Sequence, residues 1–397
     1  MRGKDLGSVA VIGAGTMGSD IALLFAISGF DVMVIETSDK ARKALPRKNE
    51  ETLKELMKGG KVKEELKEAL RRIKAGKELK DTKKADFVFE AITENLNAKR
   101  KLFKELEKVV SDDAILVTNT SSYRVTEITE EMKKPERAGG MHFSNPPIPL
   151  PLVEVVKGDR TSEETLTSIS GVVKKIGKTP VVIKRDKRGF VMNRILLATM
   201  TDGLWALERG EVTPEELDAA IYSIGIPIGI AEGADVIGID IAHIVGENLR
   251  EAYGDRFKQP PIIERMIQEG KLGKKTGVGF YDWRRGKPKI NLELAGKYET
   301  SITVALAADE AFRLIEDQVA DPEMVDKVME LGIMMPAGLC KMADEAGLDF
   351  LFETLKNHYE KYRLELYLPS SLFREYISRG WVGITANRGF YTYEGAT

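Results

Sequence analysis

The chain has 397 residues, 43% of them apolar and 31% charged, with a formal net charge of −2 and one cysteine, Cys340. That length fits two or three domains, and that apolar share is ample for buried cores. The near-neutral balance excludes a nucleic-acid binder driven by bulk charge, and a lone cysteine excludes a disulfide framework or a zinc knuckle.

The single cysteine fits a reducing cytoplasm, and no metal site is expected. No run reaches the ~18 apolar residues of a membrane span. The opening MRGKDLGSVAVIGAG breaks at once into glycines, unlike a signal peptide. SVAVIG (8–13) reads as a buried strand, TMGSDIALLFAISGF (16–30) as a helix stopped by Gly29, and DVMVIE (31–36) as a second strand. Strand, helix and strand with short links make a right-handed parallel unit. Residues 38–76 read as a charged helical hairpin broken at KGGK (58–61). DFVFEAI (86–92) is a further strand and NAKRKLFKELEKVV (97–110) an amphipathic helix. AILVTN (114–119), AGGMHF (138–143), LVEVV (152–156) and TPVVI (179–183) complete the strands. Residues 1–185 therefore form an α/β domain of Rossmann type with a mostly parallel sheet.

Beyond 185 the pattern is helical, and it repeats. Pro214, Glu215 and Asp218 recur as Pro322, Glu323 and Asp326; ADVIGID (234–240) recurs as ADEAGLD (343–349). EGKLGKKTGVGFYDW (269–283) recurs as SRGWVGITANRGFYTY (378–393). The expectation is two all-α domains in tandem, 186–285 and 295–397, joined by WRRGKPK (283–289).

Four features carry chemistry. GAGTMG leaves a strand, opens a helix and is followed by Glu36 at the end of the next strand, the context of a dinucleotide site. Gly13 permits the tight turn, Gly15 lets a pyrophosphate approach, and Gly18 lets helix and strand pack closely. Thr16 and Met17 lie between them as further cofactor contacts. Glu36 would take the ribose hydroxyls and repel a 2′-phosphate, favouring NAD over NADP, although Arg42 stands nearby. Second, His142 is one of three histidines, and Glu154 lies inside an apolar run twelve residues on. A carboxylate beside an imidazole orients it and stabilises its charged form, which suits a general base. The competing reading is a sheet-capping histidine and an edge charge; His243 and His358, in helical stretches, read as surface or satisfied core. Third, TNTSS (118–122) offers Asn119 and Ser121 to a nicotinamide or a substrate oxygen, or else simply caps a helix. Fourth, Lys54, Lys58, Lys61, Lys63, Lys67, Arg71, Arg72 and Lys74 crowd one hairpin, either as a solvated face or as a landing surface for a polyanion.

VIGAGTMG, EAITENLNAK, TNTSS, HFSNP with LVEVV, GFVMNR and GKKTGVGFY, in that order, resemble the 3-hydroxyacyl-CoA dehydrogenases over nearly the whole chain. The resemblance implies NAD as cofactor and an (S)-3-hydroxyacyl-CoA, short-chain such as 3-hydroxybutyryl-CoA, as substrate. It implies His142 as catalytic base, Glu154 as its orienting partner, and Ser121 and Asn193 as holders of substrate oxygens. Glu94, Lys99 and Lys275 match cofactor contacts, and Thr52 and Lys58 match contacts to coenzyme A; Asn145, in the proline-rich loop after His142, is expected to line that pocket as a further cofactor contact. The chain departs from the family pattern at Ser144, Pro151 and Arg188. The second repeat lacks the asparagine–arginine pair of MNR, so only the first should be catalytic. The resemblance leaves room for a separate enoyl-CoA hydratase as partner, which no residue of the chain indicates, and neither nucleic acid nor membrane is expected. The chain would be a monomer made pseudo-dimeric by its tandem repeat, or a homodimer. Two other readings stay open: a dehydrogenase of free 3-hydroxy or sugar acids, and a non-catalytic NAD-binding structural or sensor protein.

Overall fold

The computed structural model describes residues 7–58 and 63–394. The chain forms two compact units, one up to Lys187 and one from Arg188 onward.

Among the described residues the first unit holds eight strands: β1 (Ser8–Ile12), β2 (Asp31–Ile35), β3 (Ile73–Gly76), β4 (Phe87–Glu90), β5 (Ile115–Thr118), β6 (Ala138–Phe143), β7 (Leu152–Val156) and β8 (Thr179–Ile183). They form one sheet in the order β3-β2-β1-β4-β5-β6-β7-β8. Its helices are α1 (Thr16–Ile27), α2 (Asp39–Lys58), α3 (Lys63–Arg72), α4 (Leu96–Val109), α5 (Val125–Ile128) and α6 (Glu163–Lys175). Central strands such as β1 and β4 are apolar apart from Ser8 and Glu90 at their ends, because helices cover both faces of the sheet. Val9 and Val11 of β1 face a core shared with α1 and α6, whereas Ala10 and Ile12 face one built with Leu102, Phe103 and Leu106 of α4.

All pairs are parallel except β6 with β7. The link between those two, 144–151, is too short for the crossover that a parallel pair requires. The antiparallel register sets His142 directly opposite Glu154.

The expected hairpin over 38–76 needs correction at its end. Residues 73–76 are β3, paired with β2 from Val32↔Ile73 to Ile35↔Gly76. Four residues on a sheet edge, one of them Lys74, carry too little alternation to stand out from the charged helix before them. Its expected break at 58–61 falls largely outside the described residues. Helix α1 ends at Ile27 rather than Phe30, with Gly29 at φ +90°. Helices α5 and α6 were not singled out by periodicity.

The second unit contains five helices, each with a later counterpart. The first set is α7 (Met192–Glu208), α8 (Pro214–Ser223), α9 (Ile230–Ile237), α10 (Ile239–Tyr253) and α11 (Pro261–Gln268). The second is α12 (Thr300–Glu316), α13 (Pro322–Gly332), α14 (Leu339–Ala346), α15 (Leu348–Tyr362) and α16 (Ser371–Ser378). The recurring acids are its framework. Asp218 accepts from the Ala231 and Glu232 amides and the Tyr281 hydroxyl; Asp326 accepts from the Cys340 amide and the Tyr391 hydroxyl. Asp235 takes the Phe280 and Tyr281 amides and the Trp283 indole N–H; Asp344 takes the Phe390 and Tyr391 amides and the Tyr393 hydroxyl. Gly279 and Gly389 are required here: a Cβ would come within 1.9 and 2.0 Å of those carboxylates. The two sets meet along α7 and α12, and the segment after the expected linker packs along α8.

Candidate active site

The carboxyl ends of β1, β4, β5 and β6 bring together most of the first unit's candidate residues. The sheet order reverses beside β1, and in open parallel sheets ligands bind in the crevice at such a point.

Gly13 has φ +104°, and a Cβ there would lie 2.5 Å from the Ala91 carbonyl oxygen. A Cβ at Gly18 would lie 2.1 Å from the Gly13 carbonyl oxygen. Both glycines are therefore packed against backbone. Gly15 differs: nothing lies within 4 Å of its absent Cβ, and it heads α1 without a side-chain cap. An uncapped helix N-terminus facing open space accepts an anion. Thr16 is exposed at this point, and Met17 packs against the core. The Glu36 carboxylate accepts the Ala14 amide at 2.9 Å and the Ser38 amide at 2.8 Å, which ties the end of β2 to the glycine turn. Arg42 donates to the Glu36 carbonyl oxygen at 2.7 Å and pairs with Asp39 at 2.5 Å.

His142 is 3% exposed and Glu154 is fully buried. The imidazole Nδ1 is 2.7 Å from Glu154 Oε2, and Nε2 is 3.3 Å from Ser121 Oγ. The carboxylate makes Nδ1 the protonated nitrogen and leaves Nε2 as the basic one.

The TNTSS turn is held from several sides. Asn119 Oδ1 accepts the Phe143 amide at 3.0 Å, so that carbonyl group binds β6. Glu94 Oε1 accepts from the Thr120 and Ser122 hydroxyls and from the Ser121 and Ser122 amides, at 2.7 to 3.0 Å. Burial pushes the Glu94 carboxyl up, but the Lys99 ammonium and these donors outweigh it and hold it below the usual range. Lys99 is 1% exposed, with Nζ 2.6 Å from Glu90 and 3.2 Å from Glu94. Two residues were missed by sequence reasoning. Glu90 ends the apolar strand FVFE, the same signal that marked Glu154. Lys178 donates to the carbonyls of Ile148 and Leu150, at 2.6 and 2.7 Å, and tethers the proline-rich link; no sequence signal marks it.

Family models match both units. The 3-hydroxyacyl-CoA dehydrogenase NAD binding domain matches residues 8–187, and the C-terminal domain of the same dehydrogenases matches 189–283 and again 300–393. The chain belongs to the 3-hydroxyacyl-CoA dehydrogenase family.

A probable 3-hydroxybutyryl-CoA dehydrogenase of Bacillus subtilis is 37% identical over 283 residues, covering 70% of this chain and 98% of that protein. The fatty acid oxidation complex subunit alpha of Psychrobacter cryohalolentis is 32% identical over 376 residues, 88% of this chain; the match spans 52% of that protein's length. The crystal structure of 3-hydroxybutyryl-CoA dehydrogenase from Escherichia coli K12 superposes with a TM-score of 0.82 at 27% identity, over 95% of this chain and 100% of that one.

This 3-hydroxyacyl-CoA dehydrogenase is an NAD-dependent enzyme, and the open cradle at Gly15 fits the cofactor's pyrophosphate. The remaining candidates lie as follows. Asn145 is exposed just after β6. Thr52, on α2, donates to Asp20 of α1 at 3.3 Å. Lys58 closes α2, and its side chain lies outside what is described. In the second unit, Asn193 is half-buried in the first turn of α7. Lys275 is paired with Asp240 at 2.5 Å. Of the departures from the family pattern, Ser144 is buried, Pro151 accepts the Thr179 amide at 2.8 Å, and Arg188 pairs with Glu251 at 2.6 Å. His243 meets Gln259 and His358 the Thr354 carbonyl. Among the described residues no group of three or more metal-ligating side chains occurs, and no helix is long and apolar enough to cross a membrane.

Proposed function

We propose that this enzyme reversibly oxidises a short-chain (S)-3-hydroxyacyl-CoA, such as 3-hydroxybutyryl-CoA, to the 3-ketoacyl-CoA, with His142 as general base. The observation that carries the reading is the Glu154–His142–Ser121 line, its first two members buried, in which Glu154 fixes the tautomer and Nε2 meets Ser121. Bound NAD supplies the hydride acceptor. His142 takes the proton of the C3 hydroxyl on Nε2. Glu154, opposite it on β7, stabilises the imidazolium so formed. Ser121 holds a substrate oxygen, and Asn193 is the substrate-binding residue proposed for the helical unit. Glu36 takes the ribose hydroxyls and disfavours a 2′-phosphate, with Arg42 already engaged by Asp39.

His142→Gln should lower kcat by about 10²–10⁴-fold with NADH binding retained. A near-wild-type rate would sink the assignment. NADH production from 3-hydroxybutyryl-CoA compared with free 3-hydroxybutyrate separates this reading from an acid dehydrogenase and from a non-catalytic NAD binder.

We also propose that the helical repeats, which pack on each other along α7 and α12, form a pseudo-dimer within one chain. Sedimentation should then give a monomer, and an obligate dimer built on the first repeat would count against it. Hydration of a 2-enoyl thioester yields a 3-hydroxyacyl thioester, so an enoyl-CoA hydratase is the partner reaction.

A further inference from the structure

The expected role of Lys99 was contact with the cofactor, yet its ammonium is buried between two carboxylates. Glu90 Oε1 accepts from Lys99 at 2.6 Å and from the Ile92 amide at 2.8 Å, while Oε2 accepts from the Thr118 hydroxyl at 2.6 Å. Thr118 Oγ1 in turn accepts the Thr120 amide at 3.1 Å. Lys99 reaches Glu94 Oε2, and Glu94 Oε1 gathers four donors from residues 120–122. Two routes from Glu90, one through Thr118 and one through Lys99 and Glu94, thus converge on the turn that carries Ser121. Ser121 Oγ is the group that meets His142 Nε2.

We infer that Glu90, Lys99 and Glu94 are positioning residues: they form a buried brace that sets Ser121 against His142. The inference rests on the proposed roles of His142 and Ser121. The four donors that Glu94 Oε1 collects from residues 120–122 support a brace, whatever Glu94 Oε2 adds toward a ligand. A carboxylate oxygen that accepts two amides and two hydroxyls is already engaged by the protein. A buried ammonium between two carboxylates is costly to expose or redirect. Charge-assisted hydrogen bonds at this depth fix a backbone turn more firmly than neutral ones. Substrate-holding groups must lie within a fraction of an ångström of the productive geometry, so a loosened turn should cost turnover.

The test is Glu94→Gln, an isosteric change that weakens the hold on the turn. The expected result is a kcat lowered by about tenfold or more, with NADH affinity within about threefold of wild type. The deuterium isotope effect on kcat with 3-deuterated 3-hydroxybutyryl-CoA should rise as chemistry becomes slower. Lys99→Met should act in the same direction, and a crystal structure of either variant should show Ser121 Oγ displaced from His142. Where the buried changes prevent folding, Thr120→Val removes one of the four donors and should give a smaller loss of the same kind. An NADH affinity lowered about tenfold with kcat retained would overturn the inference in favour of direct cofactor contact. An unmoved Ser121 with unchanged kcat would overturn it as well. Failure of the base assignment is read separately, from His142→Gln, and leaves the structural arm of this test intact.

Discussion

Asp202 and Glu310 are the eleventh residues of α7 and α12, helices of 17 residues each, and both are buried where the two repeats meet. Their surroundings differ. Glu310 is met by Arg194 at 2.6 Å and by Arg256, and Arg194 also pairs with Asp317 at 2.7 Å and stacks on Tyr253. Asp202 is met by the hydroxyls of Tyr298 and Tyr367. Burial pushes both carboxyls up. Two guanidiniums outweigh it at Glu310, which is held below the usual range, whereas phenols do not at Asp202, which stays above it. One position in a repeated scaffold therefore accepts either an ionic or a neutral solution, and the partner's charge decides which. The shared framework of Asp218 with Asp326 and Asp235 with Asp344 shows no such freedom, because those acids bind backbone amides that every copy of the fold presents. The first repeat alone carries Asn193, Arg194 and Lys275. At the matching places in the second stand Ser301, Ile302 and Thr385.

The largest expected effect in testing this contrast comes from Arg194→Met. It leaves Glu310 with one guanidinium and strands buried charge, so urea unfolding should show a loss of about 3–5 kcal/mol. Ile302→Val at the equivalent place should cost only about 0.5–1.5 kcal/mol. Equal losses would erase the distinction between the two faces.

A pH series probes the shared framework. Burial raises the Asp218 carboxyl to about 6 against the pull of Tyr281 and two amides. Between about pH 4 and pH 6 the folded protein holds this proton and the unfolded chain does not. Stability is therefore lost as the pH rises through that window, by about 3 kcal/mol from this group. Asp218→Asn should remove that slope from the pH dependence of the unfolding free energy.

Asn193→Ala should lower kcat/KM by about 10- to 100-fold, whereas Ser301→Ala should leave it within about twofold. A comparable loss in both would mean that the second repeat takes part in the chemistry. The smallest effect concerns Lys275. Its partner-facing side chain is 44% exposed, so Lys275→Met should change stability by less than about 1 kcal/mol. Any larger change in NADH affinity would then report a cofactor contact rather than a fold defect.

Much of the site was legible as types of residue in a strand and turn context. GAGTMG announced its role because three glycines at that spacing have separate steric duties, and the structure assigns packing to Gly13 and Gly18 and open space to Gly15. His142 and Glu154 were conspicuous as polar groups in apolar strands. Glu90 carried the same mark and was passed over, because a single acid beside a motif looks like part of the motif. Lys99 sits in an amphipathic helix rich in lysine, where nothing local separates a buried ammonium from a solvated one. Strand β3 was lost because a short edge strand has little periodicity of its own.

By itself the sequence determined the class of fold, the internal repeat and the candidates for the chemistry, since these follow from local periodicity, steric need and side-chain chemistry. Register, pairing and partner charge were decided only by the tertiary structure. Whether His142 faces Glu154, whether Lys99 meets solvent or two carboxylates, and whether Asp202 meets phenols or guanidiniums all depend on residues far apart in the chain. A buried charge takes its behaviour from whatever the fold sets beside it.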